Sequence, residues 1–335
     1  MQFLVTGATG HLGNTVVKQL IEQNHTVSAI VLPKDDVTCL QNLPVTFLYG
    51  NILDKAFLQS VITPNVTVIH MAGIVDIMRF NKHALFEVNI RGTQNVADVC
   101  FEKNARLVYT SSVHVIDPKQ GEVLKEPTIF NEKKIVGLYA KSKTLATKYV
   151  FQKIQQGLQA VVVYPAGIIG PNDYKVSNIG QMIIELINKR IPCSIDGAYN
   201  FIDVRDCASA VINAALKGRV GEGYILSGNV VTVEEMFTCI YHLFGRKKIP
   251  GKVPFWLAKL FCAPATWYYK IKRIKPLFNS YALYTLKSNH NFDNTKGKTE
   301  LQLAVRPYQQ SLTDAAKWML KNKPYLFNRK KLKKA

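Results

Sequence analysis

The stretch that most constrains this chain is Gln2 to Gly13, where the apolar run Phe3-Leu4-Val5 leads into Thr6-Gly7-Ala8-Thr9-Gly10-His11-Leu12-Gly13. The run reads as a buried parallel strand, and Asn14 to Glu22 has helical apolar spacing at Val16, Val17, Leu20 and Ile21. The glycines, spaced G-x-x-G-x-x-G, therefore occupy a strand-to-helix turn. Glycine lets the backbone bend sharply and approach an anion, while the open N–H groups and dipole of a helix start offset phosphate charge. A turn of this kind is where the pyrophosphate of a dinucleotide rests. Glycines also mark ordinary turns, and here the flanking strand and helix favour the phosphate reading.

The alternation continues. Strands are expected over Thr26 to Leu32, Val45 to Tyr49, Val66 to His70, Arg106 to Ser111 and Gln159 to Tyr164, with helices between them that include Phe80 to Asn104 and Leu138 to Gln156. This rhythm predicts an α/β, doubly wound parallel sheet over residues 1–165. Beyond it, Pro165 to Asp173 reads as a turn-rich loop and Ile179 to Asn188 as a helix. Phe201 to Asp206 reads as a strand running into a helix, Gly223 to Leu226 as a short strand, and Val233 to Phe244 as a helix. A late strand and helix from about 200–230 are expected to return to the first domain. The rest of 166–335 forms a smaller, mostly helical substrate lobe with a basic tail.

Sheet-forming residues begin at position 2, leaving no room for a signal peptide, and Val253 to Trp267 is too short and interrupted to span a bilayer. A cytoplasmic protein is expected. The six cysteines form no C-x-x-C pair, which suits reduced core thiols rather than disulfides or a metal site. The net charge of +20 is lopsided: residues 246–335 hold 21 Lys plus Arg against three acids, or +18, leaving 22 against 20, or +2, in residues 1–245.

Chemistry is expected where Ser112, Tyr139 and Lys143 meet. Tyr139 and Lys143, four apart on a helix, occupy one face a turn apart. A nearby ammonium favours a phenolate, so Tyr139 is expected to have a lowered pKa and to exchange a proton with a substrate oxygen, which Ser112 orients from the end of the fifth strand. A solvated helix face is the bland alternative for this pair. His70 reads as a hydrogen-bonded structural histidine. The second strand ends without an acid or a base at Val31 and Leu32, with Lys34, Asp35 and Asp36 just beyond; Lys34 suits the extra phosphate of NADP, the two aspartates suit water or the ribose equally well, and the cofactor is expected to be NADP in preference to NAD.

The pieces TGATGHLG at 6–13, GNILD at 50–54, VIHMAG at 68–73, VNIRGTQN at 88–95, YTSSVHV at 109–115, YAKSK at 139–143 and YPAGIIGPND at 164–173 resemble, in order, the extended short-chain dehydrogenases/reductases. That superfamily also holds nucleotide-sugar epimerases and dehydratases. The resemblance implies a Rossmann sheet and pyrophosphate contacts at Gly7, Gly10 and Gly13, with Thr9, His11 and Leu12 on the loop. It implies adenine contacts at Asn51 and Ile52, and a close approach of the cofactor at Ala72 and Gly73. Ser112 becomes the orienting hydroxyl, Tyr139 the acid/base, and Lys143 the residue that binds the nicotinamide ribose. Pro165 and Ile168 approach the nicotinamide amide, and Asn89 serves a structural or proton-relay role. The family often has an aspartate where Asn51 stands and an arginine where Leu32 or Tyr164 stands. YPAGIIGP and YTSSVHV are more similar to the dihydroflavonol reductase and 3β-hydroxysteroid dehydrogenase branch, implying a fairly apolar carbonyl or alcohol as substrate. Its pocket is expected from Ile74 to Phe80, Val113 to Asp117 and Asp173 to Ile179.

Three activities stay open: an NAD(P)-dependent oxidoreductase, a nucleotide-sugar epimerase or dehydratase with bound NAD, and a non-catalytic dinucleotide-binding regulator. The expected partners are a small-molecule substrate and, as an open alternative, a second copy in a homodimer. In the basic quarter, Phe255, Trp256, Leu260, Phe261, Trp267, Tyr268 and Tyr269 alternate with Lys259, Lys270, Lys272, Arg273 and Lys275, and the chain ends in a basic run from Arg329 to Lys334. Solvated lysines over a packed lobe and peripheral contact with an anionic membrane both fit. No nucleic-acid recognition motif accompanies the charge.

Overall fold

Short strands of branched apolar residues need cover on both faces, and that need sets the architecture. The computed structural model describes residues 1–75, 82–260, 262 and 280–328. In chain order its strands are β1 (Gln2–Thr6), β2 (Thr26–Val31), β3 (Val45–Tyr49), β4 (Val66–His70), β5 (Arg106–Thr110), β6 (Ala160–Pro165), β7 (Gly167–Ile169), β8 (Ser194–Ile195), β9 (Ala198–Asp203), β10 (Gly223–Leu226), β11 (Asn229–Thr232) and β12 (Lys252–Val253). Seven of them build one parallel sheet in the order β10-β6-β5-β4-β1-β2-β3. Its central strands read as continuous apolar runs: Phe3, Leu4 and Val5 of β1 and Val161, Val162 and Val163 of β6 are all buried.

The helices either cover this sheet or pack around a second core. They are α1 (His11–Glu22), α2 (Lys55–Val61), α3 (Lys82–Phe86), α4 (Thr93–Glu102), α5 (Leu138–Gln155), α6 (Asn178–Ile187), α7 (Val204–Lys217), α8 (Val233–Leu243), α9 (Ser280–Lys287), α10 (Thr295–Leu301) and α11 (Tyr308–Asn322). One π-helical stretch, Glu87–Gly92, links α3 to α4. On α1 the stripe Leu12, Val16, Val17 and Leu20 is buried, and α1 packs against α7. Asp54 caps α2 by accepting the Phe57 N–H at 3.0 Å. The strand order reverses between β1 and β4, since the chain leaves β1 toward β2 and β3 and then crosses to the other side. In open parallel sheets, ligands sit outside the strand ends at such a switch point.

The structure corrects the sequence expectation over Pro165 to Asp173. That segment is no plain loop, because Gly167–Ile169 is strand β7, paired in parallel with β9 at Gly167↔Phe201 and Ile168↔Ile202. A Cβ on Gly167 would lie 2.8 Å from the Phe201 ring, so glycine lets the two strands close up. The sequence pattern missed this because three residues give too little alternation to read. α1 begins at His11 rather than Asn14, which puts Gly13 inside its first turn. The long helix after β4 carries the π stretch that no periodicity signalled.

Strands β7, β9 and β11 form a second sheet, and α6, α8 and α11 surround a separate core holding Ile183, Phe237, Ile240, Leu312 and Ala316. Asp203 ties this region together. Its buried carboxylate caps α7 through the Arg205 N–H at 2.8 Å and pairs with the Arg205 and Arg306 guanidiniums at 2.7 and 3.2 Å; Arg205 also reaches Asp314 of α11 at 2.8 Å. Trp256 and Leu260, four apart in the helical segment 255–260, are 68% and 67% exposed. Phe80, Phe261, Trp267, Tyr268, Tyr269, Lys270, Lys272, Arg273, Lys275 and the tail from Arg329 lie outside the described residues. Among the described residues no helix is long and apolar enough to cross a membrane, and none group as metal ligands.

Candidate active site

The glycine turn is as tight as its sequence implies. Gly7 has φ of +71°, and a Cβ there would meet the Ala72 backbone N at 2.7 Å; one on Gly13 would lie 2.1 Å from the Gly7 carbonyl oxygen. Gly10 is the N-cap of α1, no side chain caps that helix, and its first turn carries no acid. The N–H groups of the helix start are thus available to an anion. Gly7, Gly10, His11, Leu12 and Gly13 line one end of a crevice of about 800 Å³.

The base of that crevice is fixed by a buried polar relay. His70, fully buried, bonds Thr6 Oγ1 at 2.7 Å through Nδ1 and Thr93 Oγ1 at 3.0 Å through Nε2. Thr93 donates to the Asn89 carbonyl at 2.7 Å, and Thr6 Oγ1 accepts the Met71 and Ala72 N–H groups at 3.2 and 3.1 Å. Thr93 therefore accepts from His70 Nε2–H, leaving Nδ1 to accept from Thr6. Burial lowers the His70 pKa to about 3, so the ring is neutral. It serves as the structural histidine read from the sequence. Asn89, in the π stretch, accepts the Ile74 N–H at 2.7 Å and donates to the Ile74 carbonyl at 3.0 Å and Ser142 Oγ at 2.9 Å. It clips the loop after β4 to α5, and in this structure its contacts are those of a structural brace.

Ser112, Tyr139 and Lys143 all line the crevice wall, and Tyr139 is hydrogen-bonded to Ser112. Ser112 follows β5 and caps a single turn, Val113–Val115, through the His114 N–H at 3.3 Å. Gly137, with φ of +96°, admits the chain to α5, and a Cβ there would strike the Tyr281 ring. Lys143, 5% exposed, donates to the Thr110 carbonyl at 2.7 Å and lies 5.0 Å over the Tyr109 ring. Burial lowers its pKa to about 8. The expectation of a lowered Tyr139 pKa is not met: burial pushes it up to about 12, against a smaller downward pull from its hydrogen bond with Ser112. The ammonium is engaged with Thr110 instead, and desolvation of the phenol dominates. Tyr139 is protonated at neutral pH.

Toward α9 the crevice is aromatic and uncharged. His114 lies 6.3 Å from the Tyr139 and Tyr281 rings, and Tyr199 lies 5.9 Å from His290. Burial lowers the His114 pKa to about 4, and His290 Nε2 is held on the Thr285 carbonyl at 2.8 Å. Among the described residues on the wall there is no arginine.

The other expected residues divide. Gly73, Pro165 and Ile168 line the crevice. Ala72 packs on Gly7, and Thr9 is buried in the turn. Asn51 is exposed and turns on itself through the Leu53 N–H, while Ile52 packs its Cδ1 on Gly92; neither lines the crevice. Lys34 is exposed in the turn after β2 and lies outside the lining as well. Asp173, expected in the pocket, lines it and also binds the Ser177 N–H and hydroxyl at the start of α6. Sequence reasoning placed His114 and Lys175 only as members of expected pocket segments, with no chemistry of their own, and missed Tyr281, which meets the site only across the fold. A lysine beside the Gly-Pro-Asn-Asp turn was the one available signal for Lys175.

Residues 3–227 match the NAD dependent epimerase/dehydratase family. Over 323 residues the chain is 27% identical to sterol demethylase protein B of Methylococcus capsulatus, covering 95% of this chain and 98% of that protein. Mouse (Mus musculus) 3 beta-hydroxysteroid dehydrogenase type 7 is 25% identical over 358 residues, covering 95% of each. The crystal structure of gox2253 superposes with a TM-score of 0.84 at 27% identity, covering 96% of this chain and 98% of that one. The switch-point crevice, the glycine turn and a match over two thirds of the length lead to one assignment: the chain belongs to the NAD dependent epimerase/dehydratase family.

Proposed function

We propose that the protein is an NAD(P)-dependent oxidoreductase acting on a carbonyl or alcohol of a small, fairly apolar substrate, with Tyr139 carrying the proton. The observation that carries this reading is that Ser112 and Tyr139, hydrogen-bonded to each other, share one crevice wall with Lys143, the glycine turn and a set of aromatic side chains. The site fits a dinucleotide: the turn leaves no room for side chains at Gly7 and Gly13, and the start of α1 is open to an anion. When bound, the nicotinamide supplies the hydride. The chain's own groups do the rest. Ser112 Oγ holds the substrate oxygen, and the protonated Tyr139 hydroxyl donates to it as a carbonyl is reduced. Lys143, charged at pH 7 and fixed on Thr110, stabilises the phenolate that donation leaves.

Apolar and aromatic walls with neutral His114, where the described lining's lysines are held on Thr110 (Lys143) and on Thr9 and Asp35 (Lys175), favour such a substrate over a sugar nucleotide, whose diphosphate needs cations. The similarity to a 3 beta-hydroxysteroid dehydrogenase supports the same choice. Replacing Tyr139 with Phe is expected to cut turnover of an accepted ketone or aldehyde by at least about a hundredfold, the lower range for one proton-transfer group, with coenzyme affinity by fluorescence unchanged. Retained turnover in Y139F removes the proton-carrier role.

A further inference from the structure

We propose that Lys175 is the cation that binds the adenosine 2′-phosphate of NADP, a contact supplied across the crevice by the second region of the chain. This rests on the dinucleotide reading of the crevice. The end of β2 is where the adenosine ribose of a bound dinucleotide lies, and there the chain offers Leu32, apolar and 46% exposed. Lys34 is exposed in the turn after β2 and lies outside the crevice lining, so a cation on the crevice wall for a ribose phosphate has to come from elsewhere. Lys175 lines the same crevice as the glycine turn, with Nζ 2.8 Å from Thr9 Oγ1 and 3.4 Å from Asp35 Oδ1. Thr9 donates to Asp35 Oδ2 at 3.4 Å, and that oxygen accepts the Leu32 N–H at 3.4 Å. An ammonium, a hydroxyl and a carboxylate therefore converge on the ribose end of the strand.

The placement of Lys175 does not depend on its own contacts. The preceding loop is anchored on α1 by His11 Nε2 donating to the Pro171 carbonyl at 2.9 Å and by Asn14 Nδ2 donating to the Asn172 carbonyl at 3.0 Å. Lys18 adds a bond to Asn172 Oδ1 at 3.3 Å and lies 4.9 Å over the Tyr174 ring. The Lys175–Asp35 pair itself is half in water, with side chains 51% and 27% exposed, so little is lost when the ammonium turns to a doubly charged phosphate. Asp35 is then the competitor that the phosphate must displace.

The test is fluorescence titration of the full chain with NADPH and with NADH, alongside melting temperature without coenzyme. Lys175→Met is expected to weaken NADPH at least tenfold and NADH less than twofold, with the melting temperature held. Asp35→Asn is expected to tighten NADPH several-fold, the opposite of what loss of a mere structural tie between the two regions would do. Equal weakening of both coenzymes in K175M, no weakening of NADPH, or wild-type protein that binds NADH alone overturns the assignment of Lys175. Wild-type protein that binds neither coenzyme overturns the underlying dinucleotide reading instead.

Discussion

Lys143 carries a charge where the fold least tolerates one, and replacing it with Met measures that cost. Lys143 is 5% exposed and burial lowers its pKa from 10.5 to about 8, a cost on the order of 3 kcal/mol. Against this, Met forfeits the bond to the Thr110 carbonyl, a hydrogen bond to a charged group of roughly 1.5–3 kcal/mol. The variant is expected to be about as stable as wild type at pH 7, or more so by about 1–2 kcal/mol, while losing turnover. The pH dependence separates the two contributions. Below pH 8 both folded and unfolded wild-type chains hold the proton, and the burial penalty is present in full. Between pH 8 and 10.5 the folded chain has released the proton that the unfolded chain still binds, so wild-type stability rises with pH. From pH 7 to pH 9 the wild type should gain on the order of 1 kcal/mol on Lys143→Met, read from urea unfolding of both proteins without coenzyme. Parallel stability curves over that range would refute a buried, weakened ammonium.

Two further substitutions probe the frame. Gly13→Ala forces a methyl to within 2.1 Å of the Gly7 carbonyl oxygen; coenzyme affinity should fall at least about tenfold and stability by about 1–3 kcal/mol, measured by titration and urea unfolding. Asp203→Ala removes the buried carboxylate shared by Arg205 and Arg306, and unfolding should become easier by about 3 kcal/mol. Burial alone would raise the Asp203 pKa, but hydrogen bonds from Arg205 and Ser311 bring it below the usual value. Its contribution is therefore present at neutral pH and lost as acid takes the pH down through that lowered pKa, so the gap between wild type and variant should close in acid.

Residues 1–165 were largely legible because most of their elements announce themselves locally. Phe3 to Val5, Val68 with Ile69, and Val161 to Val163 are runs that only a strand covered on both faces can bury, and the stripe at Val16, Val17 and Leu20 can only be one face of a helix. The glycine turn was legible for a steric reason, since Gly7 and Gly13 sit where no Cβ fits. Tyr139 and Lys143 were found because four residues make one helical turn. Less legible were β7, too short for any periodicity, and the π stretch around Asn89, which rests on partners at Ile74 and Ser142.

By itself, then, the sequence determined most of the strands and helices, the glycine turn, and the phenol and amine that share one helix face, because these depend on short spacings along the chain, whereas Ser112 meets Tyr139 only through the fold. Only the tertiary structure decided the electrostatics of that site. Whether Lys143 lowers the Tyr139 pKa depends on burial and on the Thr110 carbonyl, and the protonated phenol that results is a property of the enclosure, not of the motif. The same holds for Lys175, 166 residues from Thr9 in sequence and 2.8 Å from it in space. Long-range placement of a charge is set by how whole elements pack, and no local pattern encodes it.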